Sequence, residues 1–133
     1  MKTINGLHLL IDGYVVDGKT LNPDSICSLF DRLVQALEMQ YLQVPTAIRV
    51  PLDPEKLDSD DDEGGWSVIC QITTSHIALH SWPMRGAFMM DIFSCKDFDP
   101  ERAQAIVSEH LNIAEINVQQ IRRHDPRFES APQ

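Results

Sequence analysis

Trp66-Ser67-Val68-Ile69-Cys70-Gln71-Ile72-Thr73-Thr74-Ser75-His76-Ile77-Ala78-Leu79-His80-Ser81-Trp82 is the stretch on which the fold depends. Residues 66–73 and 76–82 are both β-rich and alternate like strands, with only two or three residues to separate them. The spacing predicts a tight hairpin or one bent strand, with Ser75 at the junction. Met84-Arg85-Gly86 then supplies a turn into a further strand, Ala87 to Ser94. Upstream, Val44 to Leu52 reads as a strand with Pro45 at its start and Pro51 near its end, positions where a missing N–H is tolerated.

Working outward, Leu7 to Val16 is apolar and β-rich, with His8, Asp12 and Tyr14 on one parity. Gly13 interrupts this strand and suggests a bulge. Gly18 to Pro23 is a turn, and Asn22 or Asp24 caps the helix that follows, with Pro23 in its first turn. Ile26, Leu29, Phe30, Leu33, Leu37 and Tyr41 give that helix one apolar stripe. Asp53 to Gly65 reads as a solvated acidic loop with a flexible Gly64-Gly65 exit. Asp99 and Pro100 start a second helix through about His110, with Ala103, Ile106, Val107 and Leu111 as its stripe. Glu115 to Ile121 closes as a strand. The order β-α-β-β-β-β-α-β predicts a two-layer α/β sandwich, an α+β arrangement with helices on one face of a largely antiparallel sheet. The other face needs a cover, and a second copy packed sheet to sheet is the expected one, giving a homodimer.

The chain has 133 residues, enough for one domain. Its 20 acidic and 11 basic residues give a net charge of -9, which argues against nucleic acid as a partner. Seven of the 20 acids lie between Asp53 and Glu63, so much of the imbalance is local. No apolar run approaches the roughly 20 residues of a membrane helix. Three cysteines cannot all pair internally, and no secretory segment opens the chain, so a cytoplasmic location is expected.

The candidate chemistry centres on Ser75. A serine in a turn commonly just closes it, and there is no Gly-x-Ser-x-Gly elbow to make it a hydrolase nucleophile. A serine beside a strained amide has another use. Its hydroxyl attacks the preceding carbonyl, here that of Thr74, and converts the amide to an ester. β-Elimination then cuts the chain and leaves a dehydroalanine, which hydrolyses to a pyruvoyl ketone. Such a ketone forms a Schiff base with a substrate amine and accepts electrons as carbon dioxide leaves. His76 and His80 share parity with Ala78 and Trp82; a histidine there is either a satisfied core residue or a proton carrier near neutral pH. Cys95, just past the next strand and near Asp91, is either a buried small residue or a thiol available for chemistry. Cys27 and Cys70 read as core positions. The spacing of histidines and cysteines is no zinc signature, and no metal is expected.

Thr74-Ser75-His76-Ile77-Ala78-Leu79-His80-Ser81-Trp82-Pro83, followed by Asp91-Ile92-Phe93-Ser94-Cys95, resembles the small bacterial and archaeal S-adenosylmethionine decarboxylases. Gly6-Leu7-His8-Leu9-Leu10-Ile11-Asp12-Gly13-Tyr14 is similar to their first strand, and the likeness runs from about Gly6 to Val118. The resemblance implies a proenzyme that cuts itself between Thr74 and Ser75, giving fragments 1–74 and 75–133. Its cofactor is then a pyruvoyl group derived from Ser75. It further implies that Ser67 and His80 assist the processing, and that Cys95 donates a proton to the decarboxylated carbon. The implied fold is an αββα homodimer with active sites at or near the interface. The implied reaction is loss of carbon dioxide from S-adenosylmethionine, an amino-acid-type small molecule, to supply aminopropyl groups for spermidine.

The sequence departs from the family pattern at three places. Thr74 stands where glutamate usually precedes the processed serine, although that side chain does not enter the pyruvoyl group. Met84 stands where a glutamate clamps the substrate's ribose hydroxyls, and methionine cannot accept those hydrogen bonds. Lys96 stands where glycine usually follows the cysteine. Two alternatives therefore stay open: a pyruvoyl-dependent decarboxylase of arginine or ornithine, and an unprocessed, non-catalytic homologue that binds or regulates a partner.

Overall fold

The computed structural model describes residues 3–50 and 64–127. Six strands and two α-helices follow the expected order: β1 (Gly6–Val15), α1 (Pro23–Ala36), β2 (Tyr41–Arg49), β3 (Trp66–Ile72), β4 (Ser75–Trp82), β5 (Ala87–Ser94), α2 (Pro100–Leu111) and β6 (Ile113–Arg123). The strands form one sheet in the order β2-β3-β4-β5-β1-β6. All five neighbouring pairs are antiparallel. Both helices lie on one face.

Period-two burial explains the layering. Leu7, Leu9, Ile11 and Val15 of β1, Val68, Cys70 and Ile72 of β3, Ile77 and Leu79 of β4, and Phe88, Met90 and Ile92 of β5 are buried under the helices. α1 lays Ile26, Leu29, Phe30 and Leu33 on them, each with no solvent exposure. Burial of each such side chain is worth about 1.5–3 kcal/mol. α2 adds Ala103, Ile106, Val107 and Leu111. The two helices are joined by Arg32, which meets Glu109 at 2.9 Å and donates to His110 Nδ1 at 3.1 Å. His110 Nε2 donates in turn to the Ser25 carbonyl at 2.8 Å.

The caps follow the sequence. Asn22 Oδ1 accepts from the Ser25 amide with Pro23 at the first turn, and Asp99 Oδ1 accepts from the amides of Glu101 and Arg102. Asp125 Oδ2 accepts the Ile4 amide at 3.0 Å and Oδ1 the Arg127 amide at 2.9 Å, tying the two ends of the described chain together.

Three local expectations need correction. Tyr41 is not the last residue of the α1 stripe; the helix stops at Ala36, Glu38 takes a φ of +56°, and Tyr41 opens β2. Its hydroxyl donates to Asp31, back on α1. Gly13 makes no bulge, because β1 stays in register there with both neighbours; the irregularity with β6 falls between Tyr14 and Val15. Gly13 is needed for closeness instead, since a Cβ there would lie 2.5 Å from the Glu115 carbonyl oxygen. β6 starts at Ile113, two residues before the expected strand. The acidic loop, apart from Gly64-Gly65, lies outside the described residues, as do Pro51 and Leu52 at the expected end of β2.

Candidate active site

Thr73 and Thr74 form a two-residue loop between β3 and β4, so the hairpin alternative holds and Ile72 pairs with Ser75. Two-residue hairpin loops normally carry their positive φ angles inside the loop, on glycine or asparagine. β-Branched threonines resist that conformation, and neither has a positive φ. The strain falls on the next residue: Ser75 has a φ of +152°. A residue other than glycine held there costs about 1–3 kcal/mol and persists only where its surroundings fix it.

Those surroundings are specific. The Thr74 carbonyl, the one Ser75 would attack, accepts the Cys95 amide at 3.0 Å. Thr74 Oγ1 accepts from Ser94 Oγ at 2.8 Å, and Ser94 Oγ accepts from the Lys96 amide at 3.0 Å. Thr74 thus has its own partners in the place of a glutamate. Lys96 Nζ donates to the Glu38 carbonyl at 2.8 Å, next to the end of α1. Cys95 is exposed rather than a buried small residue. Cys70 is buried, which pushes its thiol up to about 11, and desolvation raises Cys27 as well. Both remain protonated thiols at neutral pH.

His80 and Ser67 are opposite each other on β4 and β3, with Oγ and Nδ1 3.0 Å apart. They are not beside Ser75 in the same chain. His80 lies five positions along β4 from Ser75, roughly 17 Å at about 3.4 Å per step. Met84 is farther still, in the β4–β5 turn, with 80% exposure. The sheet face without helices therefore carries two groups near opposite ends of β4. A cleft of about 620 Å³ lined by Ile69, Gln71, Ser75, His76, Phe93 and Arg123 marks one end. A cleft of about 360 Å³ lined by Asp12, Tyr14, Trp82, Arg85 and Met89 marks the other. The Asp12 carboxyl is raised by its burial and then by the charge of Asp91.

One cluster next to Ser75 was not singled out by sequence. Asp91 Oδ2 lies 2.7 Å from His8 Nε2 and 2.8 Å from His76 Nε2. The rings of His8 and His76 pack on Phe93, and the Arg123 guanidinium lies 4.6 Å over that ring. The three donor atoms lie within 4.8 Å of one another, close enough to be considered for a metal. The distances are those of hydrogen bonds, and two imidazole N–H groups already satisfy the carboxylate oxygen, with a guanidinium nearby. The shared parity of His8 with Asp12 was a signal, but only the pairing of β5 with both β1 and β4 brings His8, His76 and Asp91 together.

The comparisons with known proteins give the class and then the family. A family model described as S-adenosylmethionine decarboxylase matches residues 7–124. The S-adenosylmethionine decarboxylase proenzyme of Clostridium botulinum strain Hall is 28% identical over 121 residues, covering 90% of this chain and 94% of its own. That of Thermococcus onnurineus is 26% identical over 125 residues, covering 92% and 79%. The crystal structure of the adenosylmethionine decarboxylase from Aquifex aeolicus is similar in fold over the whole of both chains, with a TM-score of 0.70 and 24% identity. The class is thus carboxy-lyase. The chain belongs to the S-adenosylmethionine decarboxylase family, which works with a pyruvoyl group made from a serine and serves polyamine synthesis.

Proposed function

We propose that this chain is a proenzyme that cuts itself between Thr74 and Ser75 and then decarboxylates S-adenosylmethionine. The observation that carries the reading is the strained Ser75, with the Thr74 carbonyl held by the Cys95 amide. An N–H aimed at that oxygen stabilises the negative charge that develops there as Ser75 Oγ attacks. The residues thus fit the family's cofactor: Ser75 is its source, and Cys95, close by, is the proton donor to the carbon that loses carbon dioxide. The pyruvoyl ketone supplies the electron sink on which carbon dioxide leaves.

His80 is the proton acceptor for processing, with Ser67 orienting its ring through Nδ1. Because that pair is remote from Ser75 in its own chain, it acts on the Ser75 of a second copy. Two sheets packed face to face around a two-fold axis near the middle of β4 bring each copy's Ser67, His80 and Met84 over the other's Ser75 cleft. The face without helices supports this cover: Ile69 is 47% exposed and Met89 is 54% exposed, and Tyr14 and Ile121 are exposed on it too. Among the described residues no helix is long and apolar enough to cross a membrane.

Carbon dioxide release from carboxyl-labelled S-adenosylmethionine, arginine and ornithine, measured in parallel, tests the substrate. Release from S-adenosylmethionine alone is expected. Release only from a basic amino acid would overturn the substrate assignment and leave the self-cleavage reading intact.

A further inference from the structure

Strain at Ser75 does work only if the chain cannot relax around it. Upstream, Thr74 is held at two points, its carbonyl by the Cys95 amide and its hydroxyl by Ser94. Downstream, the next residue is held at its side chain: His76 Nε2 is fixed to Asp91 of β5, and the same oxygen is fixed to His8 of β1. Three adjacent strands are thereby tied at the residue after Ser75. Both imidazoles are also packed on Phe93, which lies opposite each of them in register.

We propose that Asp91 and His8 are positioning residues for self-cleavage, holding His76 so that Ser75 cannot escape its φ of +152°. This rests on the self-cleavage reading. In the step concerned, Ser75 Oγ bonds to the Thr74 carbonyl carbon as the Thr74–Ser75 C–N bond breaks. The hydroxyl proton ends on the freed Ser75 nitrogen, so the amide becomes its isomeric ester. Once that nitrogen is an amine, no amide plane restricts φ. The clamp thus raises the amide relative to the ester and favours the shift. Neither Asp91 nor His8 needs to touch the reacting atoms. The bridge needs an acceptor oxygen between two N–H donors and does not need a negative charge.

The test follows fresh, uncut chain by intact mass, with hydroxylamine added in a parallel sample to cleave and so count the ester. Wild type, Asp91→Ala, Asp91→Asn and His76→Phe are compared, each with its melting temperature. Asp91→Ala and His76→Phe are expected to cut at least tenfold more slowly and to yield correspondingly less hydroxylamine-sensitive chain. Asp91→Asn, which keeps the acceptor oxygen, is expected to stay within about threefold of wild type. Should Asp91→Ala fail to fold, His76→Phe, which keeps a ring on Phe93, carries the same test. Wild-type rates in His76→Phe, or an Asp91→Asn as slow as Asp91→Ala, would overturn the clamp. Loss of wild-type cutting on chelation by EDTA would overturn it in favour of a metal at the same three residues. A wild type that never cuts refutes the underlying reading instead.

Discussion

At Ser75 a single torsion sets the chemistry apart from an ordinary turn. Two threonines refuse the positive φ that a two-residue loop demands, and the serine takes it. Removing the hydroxyl in Ser75→Ala leaves the strain and takes away the nucleophile, so that chain is expected to remain uncut at its full mass. Met84→Glu puts a carboxylate where the family resemblance places an acceptor for ribose hydroxyls, and a charged hydrogen-bonding partner is worth about 1.5–3 kcal/mol. Affinity for S-adenosylmethionine should rise at least about tenfold by calorimetry; no gain would remove the lost-clamp explanation. Ser75, Thr74 and Cys95 were legible as candidates because they stand close in sequence or at matching strand ends. The Cys95 amide on the Thr74 carbonyl was not legible, since a backbone contact leaves no residue-type signal. The His8–Asp91–His76 bridge was hidden because it spans three strands whose order no local pattern encodes.

Among the elements, both helices were readable from caps and periodicity, while a hairpin and a bent strand at Ser75 stayed open until the β3–β4 register decided between them. β2 and β6 were misjudged at their ends because they lie at the sheet edges, where burial is weak and alternation fades. α1 carries much of the core, so Leu33→Ala should cost about 2–5 kcal/mol, read from denaturant unfolding. Asp125 bears on the pairing of β1 with β6 from outside the sheet. The amides of Ile4 and then Arg127 hold its carboxyl below its ordinary value. A depressed folded-state pKa adds stability that is full above the unfolded value and is lost as pH falls through the folded one. Asp125→Asn should therefore flatten the decline in melting temperature between about pH 5 and about pH 3, and an unchanged profile would remove Asp125 from that account.

For the whole molecule, the proposed function uses the separation of Ser75 from the Ser67–His80 pair to bring a second copy into the chemistry. His80→Ala should slow cutting by about 10²-fold or more if His80 carries the proton. Ser75→Ala should abolish it. Co-expression of the two variants is expected to restore cutting of the His80→Ala chain, because its intact Ser75 meets the intact His80 of its partner. No restoration would contradict the shared site. Self-cleavage at Ser75 underlies all of this, and denaturing intact-mass spectrometry of freshly purified wild-type protein reads it out. Two fragments are expected, residues 1–74 and 75–133, the second beginning with a pyruvoyl group. One species near 15.1 kDa, with Ser75 unchanged after prolonged incubation, would contradict self-cleavage.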